Sequence, residues 1–154
     1  MKLPRLLVLL FLAFTGTHLH AQIIDGAKWK FTIEQKNETE AILILTADIR
    51  ETFHIYSQFL NSNDGPIPTS FEFTPNKNFE LVGKVEEGAG HEIFDEAFQM
   101  KLLTFEKTSV FKQKIKILSK EKFTVEGKLS YMACDNRMCL PPADVPFSFG
   151  VNSK

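Results

Sequence analysis

From Lys28 onward, apolar and polar side chains alternate with a period of two along run after run, and a period of 3.6 is almost nowhere found. Trp29, Phe31 and Ile33 alternate with Lys28, Lys30 and Thr32, and Phe111, Ile115 and Ile117 alternate with Lys112, Lys114 and Lys116. Phe123, Val125, Leu129 and Tyr131 alternate with Thr124, Glu126, Lys128 and Ser130, and Val145, Phe147 and Phe149 repeat the pattern near the C-terminus. Successive side chains of a strand point to opposite faces, so each run predicts a strand with one buried and one wet face. Ala41 to Leu45 is an unbroken apolar run, which predicts a central strand buried on both faces. Turn-forming clusters separate the runs: Asn61 to Pro68, Pro75 to Asn78, Gly88 to Gly90, and Pro141-Pro142.

Short strands at this spacing predict an all-β chain, an immunoglobulin-like antiparallel β-sandwich. Thirteen of the fifteen phenylalanines lie beyond residue 21 and are available to fill the space between two sheets. No repeat, low-complexity stretch or linker divides residues 22–154, which read as a single domain. Residues 1–21 read differently. Lys2 and Arg5 precede the apolar stretch Leu6 to Phe14, and a more polar segment leads to Ala21, the pattern of a cleaved secretory signal peptide. That stretch is too short to span a bilayer, and no later run approaches the roughly 20 apolar residues needed. Leaving out the leader, 16 basic residues face 19 acidic ones, which supplies no footprint for nucleic acid or an anionic membrane surface. The reading is an exported, soluble monomer that does not insert in the membrane.

Export to a compartment that permits disulfides makes the two cysteines, Cys134 and Cys139, the candidate chemistry. They follow the predicted strand ending at Tyr131, are separated by four residues, and are followed by Pro141 and Pro142, which remove two backbone donors and stiffen the exit. Three readings compete. As a structural clip, a loop this short contributes only about 2 kcal/mol, against about 4–5 for one near 100 residues. As a Cu(I) site, the two thiolates would need Met132, Met138 or a distant His, and no second Cys or His pair supports a closed zinc site. As a redox pair, a tight disulfide is of the kind that exchanges with other thiols. No Ser-His-Asp triad, phosphate loop or dinucleotide fingerprint is present, and Asn37-Glu38-Thr39 is a glycosylation pattern only in a eukaryotic secretory route.

The run Tyr131, Cys134, Cys139, Pro141, Pro142 on a sandwich resembles the N-terminal periplasmic domain of the thiol:disulfide interchange protein DsbD, with its Tyr-x-x-Cys, short loop and Cys-x-Pro-Pro. Arg50 to Gln58 (RETFHIYSQ) resembles that family's strand of aromatics beside the active site, and His91 to Phe105 resembles its cap-loop hairpin. The resemblance extends over most of the chain beyond the leader. Three departures stand out: a loop one residue shorter than in the best-known members, His54 in place of a tyrosine, and an end at Lys154 without a membrane segment or thioredoxin-like domain.

The resemblance implies a periplasmic relay with no cofactor or metal beyond a redox-active disulfide. Cys139 would form the mixed disulfide and Cys134 would resolve it. Thioredoxin-fold periplasmic proteins would be partners, with a separate membrane electron carrier supplying the missing part. The cap would be Phe94-Asp95-Glu96-Ala97-Phe98, with Phe98 as the covering residue and Phe94 as the alternative register, after a Gly88-Ala89-Gly90 stretch that predicts mobility. His54 and Tyr56, two apart on one strand face, would lie near the cysteines, where an imidazole can move protons near neutral pH. Tyr131 reads as packing rather than chemistry, and Arg137 and Asp135 as opposing influences on a thiol inside the loop.

Overall fold

The computed structural model describes residues 25–60 and 64–152, and every regular element among them is a β-strand. The predicted signal peptide lies outside the described residues. Among the described residues no helix is long and apolar enough to cross a membrane. The strands in chain order are β1 (Ala27–Gln35), β2 (Glu40–Ile49), β3 (His54–Tyr56), β4 (Ser70–Phe73), β5 (Phe79–Glu87), β6 (His91–Asp95), β7 (Met100–Phe105), β8 (Thr108–Ile117), β9 (Phe123–Tyr131), β10 (Ala133–Cys134) and β11 (Ala143–Val151). All pairings are antiparallel. They form three sheets, ordered β1-β2-β8-β5, β11-β9-β4 and β10-β3-β7-β6.

The first two sheets build the sandwich. Leu43, Leu45, Phe111 and Ile115 of the first join Val125, Leu129, Phe147 and Phe149 of the second in one core. Fully burying each such side chain stabilises the fold by about 1.5–3 kcal/mol. Trp29 on β1 packs its indole against the rings of Phe71, Phe111 and Tyr131, with centroids 6.4, 5.7 and 5.5 Å away. β2 is central, but its burial differs from the reading of its apolar run. Ala41, Leu43, Leu45 and Ala47 are fully buried, whereas Ile42 and Ile44 on the other face are only half-buried. That face is the outer face of the first sheet, where Glu40 pairs with Lys114 at 3.3 Å. Lys112, Lys114 and Lys116 of β8, which sits between β2 and β5, lie on this solvent face too.

The third sheet was not separable in the sequence pattern. After Tyr131 the chain leaves β9, passes Met132, and pairs Ala133 and Cys134 with Ile55 and His54 of β3. Ile55 also faces Phe105, and Tyr56 faces Thr104. The sheet is therefore apolar on both sides. Ile55, Phe105 and Ala133 enter the main core, while Tyr56, Leu102 and Cys134 form a second small cluster. This explains why all three residues of β3 are buried despite the alternation of their side chains. The exit of β3 is fastened by Ser57 N–H donating to Leu103 O at 2.9 Å and Gln58 N–H donating to Glu87 Oε2 at 2.9 Å.

Gly127 marks a close approach between β9 and its neighbours: a Cβ there would lie 2.2 Å from Glu72 O and 2.5 Å from the Phe147 ring. Gly127→Ala is therefore expected to destabilise the fold by about 1–3 kcal/mol through overpacking, read as a lower urea midpoint at unchanged slope. An unshifted midpoint would mean that β4 and Phe147 give way freely.

Candidate active site

Cys134 and Cys139 are joined, with sulfurs 2.04 Å and Cα atoms 4.0 Å apart. They oppose one another as an antiparallel bridge inside a small hairpin. Leu140 N–H donates to Ala133 O below the pair and Asp135 N–H donates to Met138 O above it, both at 2.9 Å. Asp135 shapes the turn: its Oδ1 accepts from the amides of Arg137 and Met138 at 2.8 Å each. Those two amides hold its carboxyl below the usual range, so the charge is spent largely on its own turn. Pro141 and Pro142 are exposed, with trans peptide bonds, and lead the chain into β11.

The two sulfurs are not equivalent. Cys134 is 1% exposed, whereas Cys139 is half-buried. Around them pack Tyr56, Leu102, Leu60, Phe98, Met100 and Met132. Register places Cys134 directly opposite His54.

The β6–β7 hairpin covers this face by curling. Asp95 pairs with Met100, four residues along β7 from Thr104, the partner of Tyr56. A flat sheet would hold Asp95 well over 10 Å from that position. Instead Tyr56 Oη donates to Asp95 Oδ2 at 2.6 Å, and Phe98 meets the Tyr56 ring edge-on at 6.2 Å. The phenol's one hydrogen is committed to Asp95, so its lone pair is left for His54 Nε2, 3.1 Å away, and that nitrogen carries the hydrogen. His54 Nε2 also lies 3.4 Å from Asp95 Oδ2. The other oxygen, Oδ1, accepts from the amides of Ala97 and Phe98 at 2.9 and 3.1 Å. Gln99 closes the tip at φ 53°, a left-handed conformation that costs a side-chain-bearing residue about 1–2 kcal/mol.

The electrostatics follow from this crowding. Burial, then the hydrogen bond to Asp95 and its negative charge, push the Tyr56 phenol far above its ordinary range, so it remains a donor. Burial alone would raise Asp95, but the hydrogen bonds from Tyr56, Phe98 and Ala97 outweigh it and hold the carboxyl below its ordinary value. Between the cap tip and the cysteine hairpin runs a cleft of about 440 Å³. Phe94 and Glu96 line one wall, Arg137 and Met138 the other, and His54, Asp95 and Cys139 are also part of its lining.

The sequence profile described as "Thiol:disulfide interchange protein DsbD, N-terminal" matches residues 20–149, a span that takes in the cap hairpin, both cysteines and the whole third sheet. The chain belongs to the DsbD N-terminal family. It is thus a member of a family of thiol–disulfide interchange domains with an immunoglobulin-like fold. Among solved structures, the reduced DsbD N-terminal domain of Neisseria meningitidis superposes with a TM-score of 0.53 at 15% identity, over 79% of this chain and 85% of that one. The N-terminal periplasmic domain of ScsB from Proteus mirabilis gives 0.60 at 15% identity, over 81% of this chain and 46% of the other. The chain thus spans about half the length of that ScsB structure, and at this identity both likenesses are of fold. No curated protein sequence matches it.

Of the DsbD-like features read from sequence, the structure brings together Cys134, Cys139, His54, Tyr56, Asp95 and Phe98. Phe98 packs on the cysteine cluster, while Phe94 is 53% exposed on the cleft wall, so the two registers are distinguished by burial. Glu96 is exposed at the tip, its backbone carbonyl accepting from Gln99 Nε2 at 2.7 Å. Tyr131 is elsewhere: its ring lies in the main core and its hydroxyl donates to Ala27 O at 3.1 Å, on the far side of the third sheet from the sulfurs. The three-residue spacing to Cys134 spans a change of sheet, which period-two reasoning does not detect. His54 is 7% exposed and hydrogen-bonded. Gly90 permits a close approach between the strands of the hairpin, since a Cβ there would meet Thr104 O at 2.8 Å. Sequence reasoning missed Met100, Met132, Leu60 and Leu102 as the walls around the sulfurs. The alternation of Met100 and Leu102 was a signal, but only register ties them to Cys134. Among the described residues no group of three or more His, Cys, Asp or Glu side chains is arranged to hold a metal ion.

The depressed Asp95 value sets a pH dependence. A carboxyl whose folded value lies below its unfolded one contributes stability that is complete above the ordinary carboxylate range, about pH 4, and is lost as pH falls through the folded value. The Ala97 and Phe98 amides, with Tyr56 and His54 facing Asp95 from β3, are therefore expected to keep constant hydrogen-exchange protection from pH 7 to about 4 and to lose it below. Asp95→Asn should remove that acid step. Protection that already declines between pH 7 and 5 would contradict the assignment.

Proposed function

We propose that the chain, freed of its leader, works in the periplasm as a monomeric thiol–disulfide exchange module. In this reading it passes reducing equivalents through Cys134 and Cys139 to thioredoxin-fold proteins and is recharged by a separate membrane electron carrier. Family membership supports the chemistry, and the periplasmic setting of the ScsB relative supports the compartment. The observation that carries the reading is the asymmetry of the pair: Cys139 lines an open cleft while Cys134 is buried behind it. A visiting sulfur must approach in line with the bond it attacks, and the cleft leads it to Cys139.

In the reducing direction, the Cys139 thiolate attacks one sulfur of a partner disulfide. That bond breaks, a mixed disulfide forms, and the partner's other sulfur leaves as a thiolate and takes a proton. Cys134 then gives up its proton and attacks Cys139 Sγ, re-forming the internal bond and expelling the partner's second sulfur. The partner gains two electrons and two protons, and the pair loses the same. A dithiol on the membrane carrier runs the sequence backwards. His54, opposite Cys134 and hydrogen-bonded through Nε2, is placed to take part in the proton traffic of the resolving step.

Two variants test this. Cys134→Ala, produced with its leader and recovered without reductant, should carry a covalently held protein released by dithiothreitol, whereas Cys139→Ala should carry none. The double change Cys134→Ser with Cys139→Ser should abolish exchange with thioredoxin-fold proteins while costing no more than about 2 kcal/mol of stability. Undiminished exchange in the double variant, or trapping by the Cys139 variant alone, would sink the proposal.

A further inference from the structure

We infer that Asp95 is a latch: a positioning residue whose carboxylate, by bridging the hairpin tip to the sheet, sets how often the Cys134–Cys139 disulfide is uncovered. The inference takes its purpose from the exchange reading above, but its geometry stands apart from it. Among the described residues, the polar contacts joining the tip to the sheet face converge on this one side chain, with Tyr56 Oη at 2.6 Å and His54 Nε2 at 3.4 Å from Oδ2. The other ties are apolar: Phe98 meets the Tyr56 ring edge-on and, with Met100, packs on the cluster of Tyr56, Leu102 and Cys134. Oδ1 holds the backbone amide of Phe98 itself, together with that of Ala97. The covering residue is thus tied by its own main chain to the group that ties the hairpin down.

Comparison with Asp135 shows what is distinctive. Across the cleft, Asp135 makes the same kind of turn, accepting two amides of its own loop through one oxygen. Asp95 adds a second attachment, from its other oxygen to a different strand, and it is 5% exposed. Since β6 and β7 must curl to bring Asp95 to Tyr56, breaking that attachment frees the hairpin to straighten away from the sulfurs. Asp95 also lines the cleft, so a donor group of a docking protein can compete with Tyr56 for Oδ2 and open the cover as it arrives. The latch would then be released by the partner that needs the disulfide, and would stay closed to small thiols that bring no competing donor.

The test uses the oxidised mature chain and dithiothreitol, with no protein partner. The rate of reduction is followed together with amide hydrogen exchange. Hydrogen bonds to a charged group are of a strength that makes Asp95→Ala reduce about 10- to 100-fold faster. Protection of the Phe98 amide should fall by a similar factor, while amides of β2 and β8 keep theirs. Tyr56→Phe, which cuts the tether and spares the tip turn, should accelerate reduction about tenfold. Asp95→Asn keeps an acceptor for the two amides but presents an N–H group to Tyr56, and should fall between wild type and Asp95→Ala. Should Asp95→Ala not fold, the other two variants carry the same comparison. Reduction rates within twofold of wild type in the folded variants overturn the latch, as does acceleration matched by equal loss of protection in β2 and β8, the mark of global unfolding. Variants that reduce at the wild-type rate yet still exchange with thioredoxin-fold proteins would remove the latch and leave the proposed function intact. Faster reduction in a protein that never exchanges with such partners would do the reverse.

Discussion

A sheet that is apolar on both faces has to be covered on both, and that constraint organises this molecule. One face of the third sheet is satisfied by the sandwich, where Ile55, Phe105 and Ala133 complete the main core. The other carries Tyr56, Leu102 and Cys134, which would otherwise stand in water. The chain meets the demand with the neighbouring hairpin of the same sheet, curled so that Phe98 lies over the tyrosine. Covering the face and guarding the disulfide are therefore one structural act. The root of that hairpin is held in the sheet, with Phe105 of β7 in the main core, while its tip projects beyond the pairing with β3.

Curling brings Asp95 onto a face that already carries Tyr56 and His54, and the site accommodates these groups by pairing each with another. A buried carboxylate left alone is expensive, so Asp95 is surrounded by donors on both oxygens. Tyr56 gives its hydrogen to Asp95 and offers its lone pair to His54, and His54 stands across from Cys134. The chain from cap amides to cysteine is thus continuous in hydrogen bonds up to His54 and in strand register for the last step. It joins the tip of the hairpin to one of the two disulfide-bonded residues.

The family match and the geometry support each other at different levels. The profile spans the cap and both cysteines, and the structural relatives share the fold at 15% identity. His54 opposite Cys134 and the two Asp-centred turns across the cleft are features of this structure itself.

Much of this was legible in the chain itself. Period-two alternation from Trp29 to Phe149 required strands, because only a strand places every second side chain on one face, and the excess of phenylalanine required a thick two-layer core. The pairing of Cys134 with Cys139, their proline exit and the presence of His54, Tyr56 and Asp95 near them were also readable, the last three through resemblance. Alternation is a local property, however, and carries no account of which sheet a strand joins. It read Tyr131 as packing, but it could not show that the chain changes sheet between Tyr131 and Ala133, which puts that packing in the main core. Nor could it show that Ile42 and Ile44 cover only an outer face, or that Asp95 crosses back to Tyr56. Those outcomes depend on the curl of one hairpin and the register of three strands, which are settled by long-range packing between segments far apart in sequence. The residues chose the elements and the chemistry; their burial against one another decided which sulfur is open and what stands guard over it.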